Sequence, residues 1–116
     1  AFDAAVTQVM KDVPLLRWGF KDMMWKHAAN SPSDLLVKLS DFNNESIIEQ
    51  ITCQTLVMDG EAEAFSTGEG KKLYDALKSP KDYMLFTAED TGLVHVQTAA
   101  MAVSSQRLFD YLDEYL

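Results

Sequence analysis

Two short apolar runs, residues 52–59 (TCQTLVMD) and 82–87 (DYMLFT), each lead into a polar turn and then a helical pattern. This order constrains the fold more than any other feature of the chain. Between the runs, Ser66 is followed three positions later by Glu69, which matches a capping box. Residues 68–78 then place Leu73, Tyr74 and Leu77 on one helical face, and Ser79-Pro80 stops the helix. Behind the second run, residues 88–97 (AEDTGLVHVQ) read as a loop that turns at Gly92. Residues 98–116 read as an amphipathic helix with Met101, Leu108 and Leu112 on one side, beside Phe109 and Tyr111. Strand, helix, strand, helix predicts an α/β unit: two parallel strands with flanking helices, joined by a right-handed crossover. Parallel strands are normally covered on both sides, so the first strand is expected to leave an edge or face open to a further segment.

The first 50 residues carry helical spacing and no strand pattern. Phe2, Ala5, Val6 and Val9 share one face. Pro14 suits a first helical turn, and Leu15, Trp18, Met23 or Met24, and Trp25 follow at roughly helical spacing; the two tryptophans and the methionine pair are read as core in preference to a substrate-lining role. Ser31 or Ser33 can cap a further helix whose stripe is Leu35, Leu36, Leu39 and Phe42. Asn43-Asn44 ends it, and residues 46–51 form a short turn or linking helix.

Charge and cysteine usage narrow the functions available. Ten basic and eighteen acidic residues in 116 give a net charge of −8, which disfavours nucleic acid and anionic membrane as partners, since phosphate binding needs clustered cations. Cys53 is the single cysteine, so no internal disulfide forms, and its apolar surroundings predict a buried small side chain rather than a nucleophile. Two histidines far apart in sequence, His27 and His95, do not make a metal site. No P-loop or dinucleotide-binding glycine pattern occurs, and no cofactor is expected. No apolar run reaches the length of a membrane span, and the N-terminal residues lack a signal-peptide pattern. A cytoplasmic location is the expectation.

In open α/β sheets, chemistry gathers at the carboxyl ends of the strands. The first strand runs into Asp59, Gly60, Glu61, Ala62 and Glu63, and the second leads to His95. A carboxylate from one turn can therefore meet the imidazole from the other. An acid bonded to Nδ1–H would orient the ring and leave Nε2 to face a nucleophile. Asp59, Glu61 and Glu63 compete for the acid role. Strand alternation and the turn at Gly60 favour Glu63, with Glu61 as second choice.

Residues 51–116 resemble the last third of an α/β-hydrolase. The features that carry this are Ile51, Cys53, Thr55 and Leu56 in the strand, Gly60 to Glu63 in the turn, and His95 before a final helix. Gln54 stands where the family usually has Pro, Glu63 where it usually has Asp, and Val96 follows the histidine where a narrower group often has Cys. That group, suggested by residues 66–97 and 106–116, contains the dihydroxypseudooxynicotine hydrolase and fungal polyketide-shortening hydrolases. The resemblance implies a C-terminal fragment of a serine-type α/β-hydrolase with catalytic His95 and Glu63, and residues 1–50 as the remnant of a helical cap. It implies cleavage of an ester or of a carbon–carbon bond next to a ketone in a small-molecule substrate. G-x-S-x-G occurs nowhere in the sequence, so the nucleophile is expected upstream, the chain alone is expected to be inactive, and the expected partner is a missing N-terminal half or another copy of the chain. The competing expectation is a non-catalytic α/β binding or interaction module.

Overall fold

The computed structural model describes Ala1–Tyr115; Leu116, expected at the end of the last helix, lies outside the described residues. The chain divides into two compact units between Asn44 and Glu45. The first is helical: α1 (Phe2–Asp12), α2 (Pro14–Lys26) and α3 (Pro32–Leu39). Pro14 opens α2, and Ser31 caps α3 by accepting from the Asp34 N–H. Phe2, Val6 and Val9 of α1 share a seam with Leu16 and Phe20 of α2. The carboxylate of Asp3 ties α1 to α3, accepting from the Ser33 N–H at 2.7 Å and its hydroxyl at 2.8 Å. Trp18 and Trp25, read as core, are exposed. The half-buried stripe of α2 is Gly19, Phe20, Met23 and Met24, and the two tryptophans, seven positions apart, share the opposite face.

The second unit is a small α/β domain. Among the described residues its sheet has two strands, β1 (Thr55–Gly60) and β2 (Lys81–Phe86), paired in parallel with Thr55 opposite Lys81 and Gly60 opposite Phe86. A single turn of 3₁₀ helix (Ile48–Gln50) precedes β1, α4 (Glu69–Ala76) joins the strands, and a second 3₁₀ segment (His95–Ala100) leads into α5 (Met101–Tyr115). The core under the sheet is Ile48, Val57 and Leu77, with Leu73, Tyr74 and Tyr83 packed against it. The inward positions expected of α4 are thus the ones used. Lys81 closes the C-terminal end of α4: its ammonium donates to the carbonyls of Tyr74 at 2.5 Å and Leu77 at 2.8 Å and lies 4.6 Å from the centre of the Tyr74 ring. Those carbonyls have no partner within the helix, so a cation there replaces water.

In this α/β unit four further local expectations fail, each for a reason visible in the fold. The first strand begins at Thr55, not residue 52, because pairing with β2 starts opposite Lys81. Cys53 therefore lies ahead of the ladder and is exposed rather than buried. Ser66 does not cap α4; the N-cap is Gly68 at φ 78°, without a side-chain cap. The Ser66 N–H and the Thr67 hydroxyl are committed instead to Glu63. Met101 and Phe109 point to solvent; the half-buried stripe of α5 is Ser104, Arg107, Leu108, Tyr111 and Leu112, the spacing of one helical face.

Candidate active site

The carboxyl ends of β1 and β2 carry the loops that hold the predicted residues. Gly60 is the point of closest approach between them. A Cβ there would lie 2.4 Å from the Leu93 carbonyl oxygen, so only glycine lets the two backbones meet. Past Gly60 the ladder continues for one step, with the Glu61 N–H on the Phe86 carbonyl at 3.0 Å. The Ala62 N–H then reaches the Leu93 carbonyl at 2.9 Å, and the Glu63 N–H turns back to Gly60 at 3.1 Å.

Each of the three competing carboxylates has its own partner. Asp59 accepts from the Tyr83 hydroxyl at 2.7 Å and from the Gly60 N–H at 2.8 Å. Burial first, and then the Asp59 carboxylate, push the Tyr83 hydroxyl up to about 12. Glu61 accepts from the Ala88 N–H at 2.7 Å. Glu63 reaches the histidine: its Oε2 lies 2.7 Å from His95 Nδ1, while Oε1 accepts from the N–H groups of Phe65 at 2.6 Å and Ser66 at 3.1 Å. Desolvation acts to raise the Glu63 pKa, but the His95 contact and the two backbone donors outweigh it and hold the carboxyl below its ordinary value. An ionised carboxylate only accepts hydrogen bonds, so the shared proton sits on His95 Nδ1. In the neutral ring Nε2 is then free to accept a proton.

The burial of the pair is uneven. The Glu63 side chain is 9% exposed and the His95 side chain 45%. The acid is shielded while the imidazole faces solvent, where a reacting group can approach. The Phe65 ring flanks His95 at 4.9 Å between centroids. No spacing or motif in the sequence marks Phe65 for this place. Directly after His95, the backbone turns through two consecutive left-handed residues, Val96 (φ 48°, ψ 30°) and Gln97 (φ 52°, ψ 33°). A β-branched residue in this region is strained by about 1–3 kcal/mol. Val96 is 63% exposed, so it recovers little of that by packing. Val96→Gly is expected to raise stability by about 0.5–1 kcal/mol, strain relief exceeding the extra backbone entropy of glycine in the unfolded chain. A urea midpoint lower than wild type would show that Val96 contributes packing that outweighs its strain.

Cys53 is remote from this pair. It precedes β1, whereas Glu63 follows it, and six strand residues span about 20 Å. His27 lies in the helical unit with its ring edge-on to Phe42 at 5.0 Å. Among the described residues, no three His, Cys, Asp or Glu side chains gather as a metal site, and no helix is long and apolar enough to cross a membrane. Comparison with protein-family models, curated proteins and solved structures finds no significant match to this chain.

Proposed function

We propose that Glu63 and His95 are the acid and base of a serine-type hydrolytic triad acting on a carbonyl compound, either an ester or a ketone with a scissile carbon–carbon bond beside it. The observation that carries this reading is the 2.7 Å contact between Glu63 Oε2 and His95 Nδ1 at the carboxyl ends of neighbouring parallel strands. In this reading residues 51–116 are the C-terminal part of an α/β-hydrolase core and residues 1–50 the end of a helical cap. The nucleophilic serine comes from a segment outside these residues, because the sequence has no G-x-S-x-G.

The chemistry follows from the proton inventory. His95 Nε2 removes the proton of the serine hydroxyl as its oxygen attacks the carbonyl carbon. The imidazolium that forms is stabilised by anionic Glu63, which keeps its charge throughout. Collapse of the tetrahedral adduct passes the proton from Nε2 to the leaving oxygen or carbon. Water then enters by the same route in reverse. Backbone donors near the serine hold the oxyanion.

The test compares carboxylate variants in the enzyme these residues serve, assayed on an activated ester and on a β-diketone. Glu63→Gln is expected to lower turnover about 10⁴-fold by favouring the wrong imidazole tautomer, while Asp59→Asn retains most of it. The opposite ranking would overturn the assignment of Glu63. Activity untouched by either variant would favour a non-catalytic binding or interaction module.

A further inference from the structure

Glu61 was a rival for the acid role, and its carboxylate does something else. It crosses from the β1 loop to the β2 loop and takes the Ala88 N–H at 2.7 Å. Beneath it run the two backbone bonds between the loops, from Glu61 to Phe86 and from Ala62 to Leu93. The far side of the β2 loop is held separately. Asp90 Oδ2 accepts from the N–H of Thr87 at 3.2 Å and from its hydroxyl at 3.3 Å, and Oδ1 pairs with Arg107 of α5. The guanidinium of Arg107 lies 5.2 Å from the centre of the Phe86 ring. Of the side-chain ties, Asp90 fixes the loop to the helix, and Glu61 adds to the two backbone bonds that join it to the loop carrying Glu63.

We propose that Glu61 is a positioning residue for the Glu63–His95 pair, acting by clamping the start of the histidine-bearing loop to the acid-bearing loop. Its functional meaning rests on the hydrolase reading above. Glu63 and His95 are 32 positions apart in sequence, so their hydrogen bond exists only while the two loops keep their separation. A shift of about 0.5 Å is enough to degrade such a constellation. Glu61 is exposed, so truncating it opens no cavity in the core. A hydrogen bond from a backbone N–H to a charged group is among the stronger kinds, and losing this one leaves the two loops joined by the backbone bonds from Glu61 to Phe86 and from Ala62 to Leu93 without their side-chain tie.

Nitrogen-15 NMR of the His95 ring in the 116-residue chain tests this directly. In wild type the Nδ1–H tautomer is expected to dominate. Glu61→Ala is expected to lower the ratio of Nδ1–H to Nε2–H about tenfold, the scale of one charge-assisted hydrogen bond. Glu61→Gln keeps an acceptor oxygen at the same reach without the charge and is expected to restore most of the wild-type ratio. Glu61→Asp keeps the charge but falls short by about one bond length, ~1.5 Å, and is expected to behave like Glu61→Ala; it serves if the alanine variant does not fold. An unchanged tautomer ratio in the folded Ala or Asp variant would overturn the proposal, and so would failure of Glu61→Gln to restore it. The hydrolase reading fails independently, if the tautomer shifts as expected while the turnover of the enzyme does not.

Discussion

On the proposed hydrolase reading, His95→Ala in the complete enzyme is expected to lower turnover by roughly 10⁶-fold, the scale seen when a triad base is removed. Two roles are lost together. Nothing then takes the proton from the attacking hydroxyl, and nothing returns it to the leaving group. Residual turnover of roughly 10³–10⁴ over water would remain from substrate binding and the oxyanion donors. Loss of the base should exceed loss of the acid, because Glu63 acts only through the ring that it orients. KM should change little in both variants if neither side chain binds the ground state. A His95→Ala enzyme within tenfold of wild type would remove His95 from the mechanism, and with it the hydrolase reading.

Phe86→Ala is expected to have the largest effect on stability. Its side chain is fully buried at 0% exposure. It also sits beneath the histidine-bearing loop, where a Cβ on Gly92 would lie 2.8 Å from the ring, and beside the Arg107 guanidinium. Removing the ring leaves a cavity that this close-packed turn cannot fill, at a cost of about 3–5 kcal/mol. Amide hydrogen exchange in β1 and β2 should accelerate by about 100-fold or more, since about 1.4 kcal/mol corresponds to a factor of ten. Leu85→Ala is the matched control. Leu85 is the preceding strand residue, on the other face and 43% exposed, so its truncation should cost under about 1.5 kcal/mol. Equal effects of the two substitutions would mean that burial at Phe86 does not govern the stability of the sheet.

Legibility of this fold in the sequence depended on the range of each interaction. The order of strand, helix, strand and helix is local. It follows from the apolar run ending in Asp59, from Leu73, Tyr74 and Leu77 at helical spacing, and from Ser79-Pro80 as a stop. A connection long enough to hold a helix returns the second strand parallel to the first, and the pairing of Thr55 with Lys81 through Gly60 with Phe86 is of that kind. The placement of Glu63 and His95 at one end of the sheet follows from that topology alone. Other outcomes depended on side chains that meet across the fold. Asp59 is occupied by Tyr83, 24 positions away, and Glu61 by Ala88, 27 positions away. No pattern along the chain encodes those partners. Ser66 has the sequence of a helix cap, yet its N–H serves the Glu63 carboxylate. Cys53 has an apolar neighbourhood in sequence, yet the strand register leaves it outside the ladder. Local spacing determined which elements exist and at which end of the sheet the polar turns gather. Strand alternation and the turn at Gly60 ranked Glu63 first among three carboxylates, but only the tertiary structure fixes the contact with the imidazole, because a hydrogen bond needs placement to within a few tenths of an ångström, and the packing of both loops on β1 and β2 supplies it.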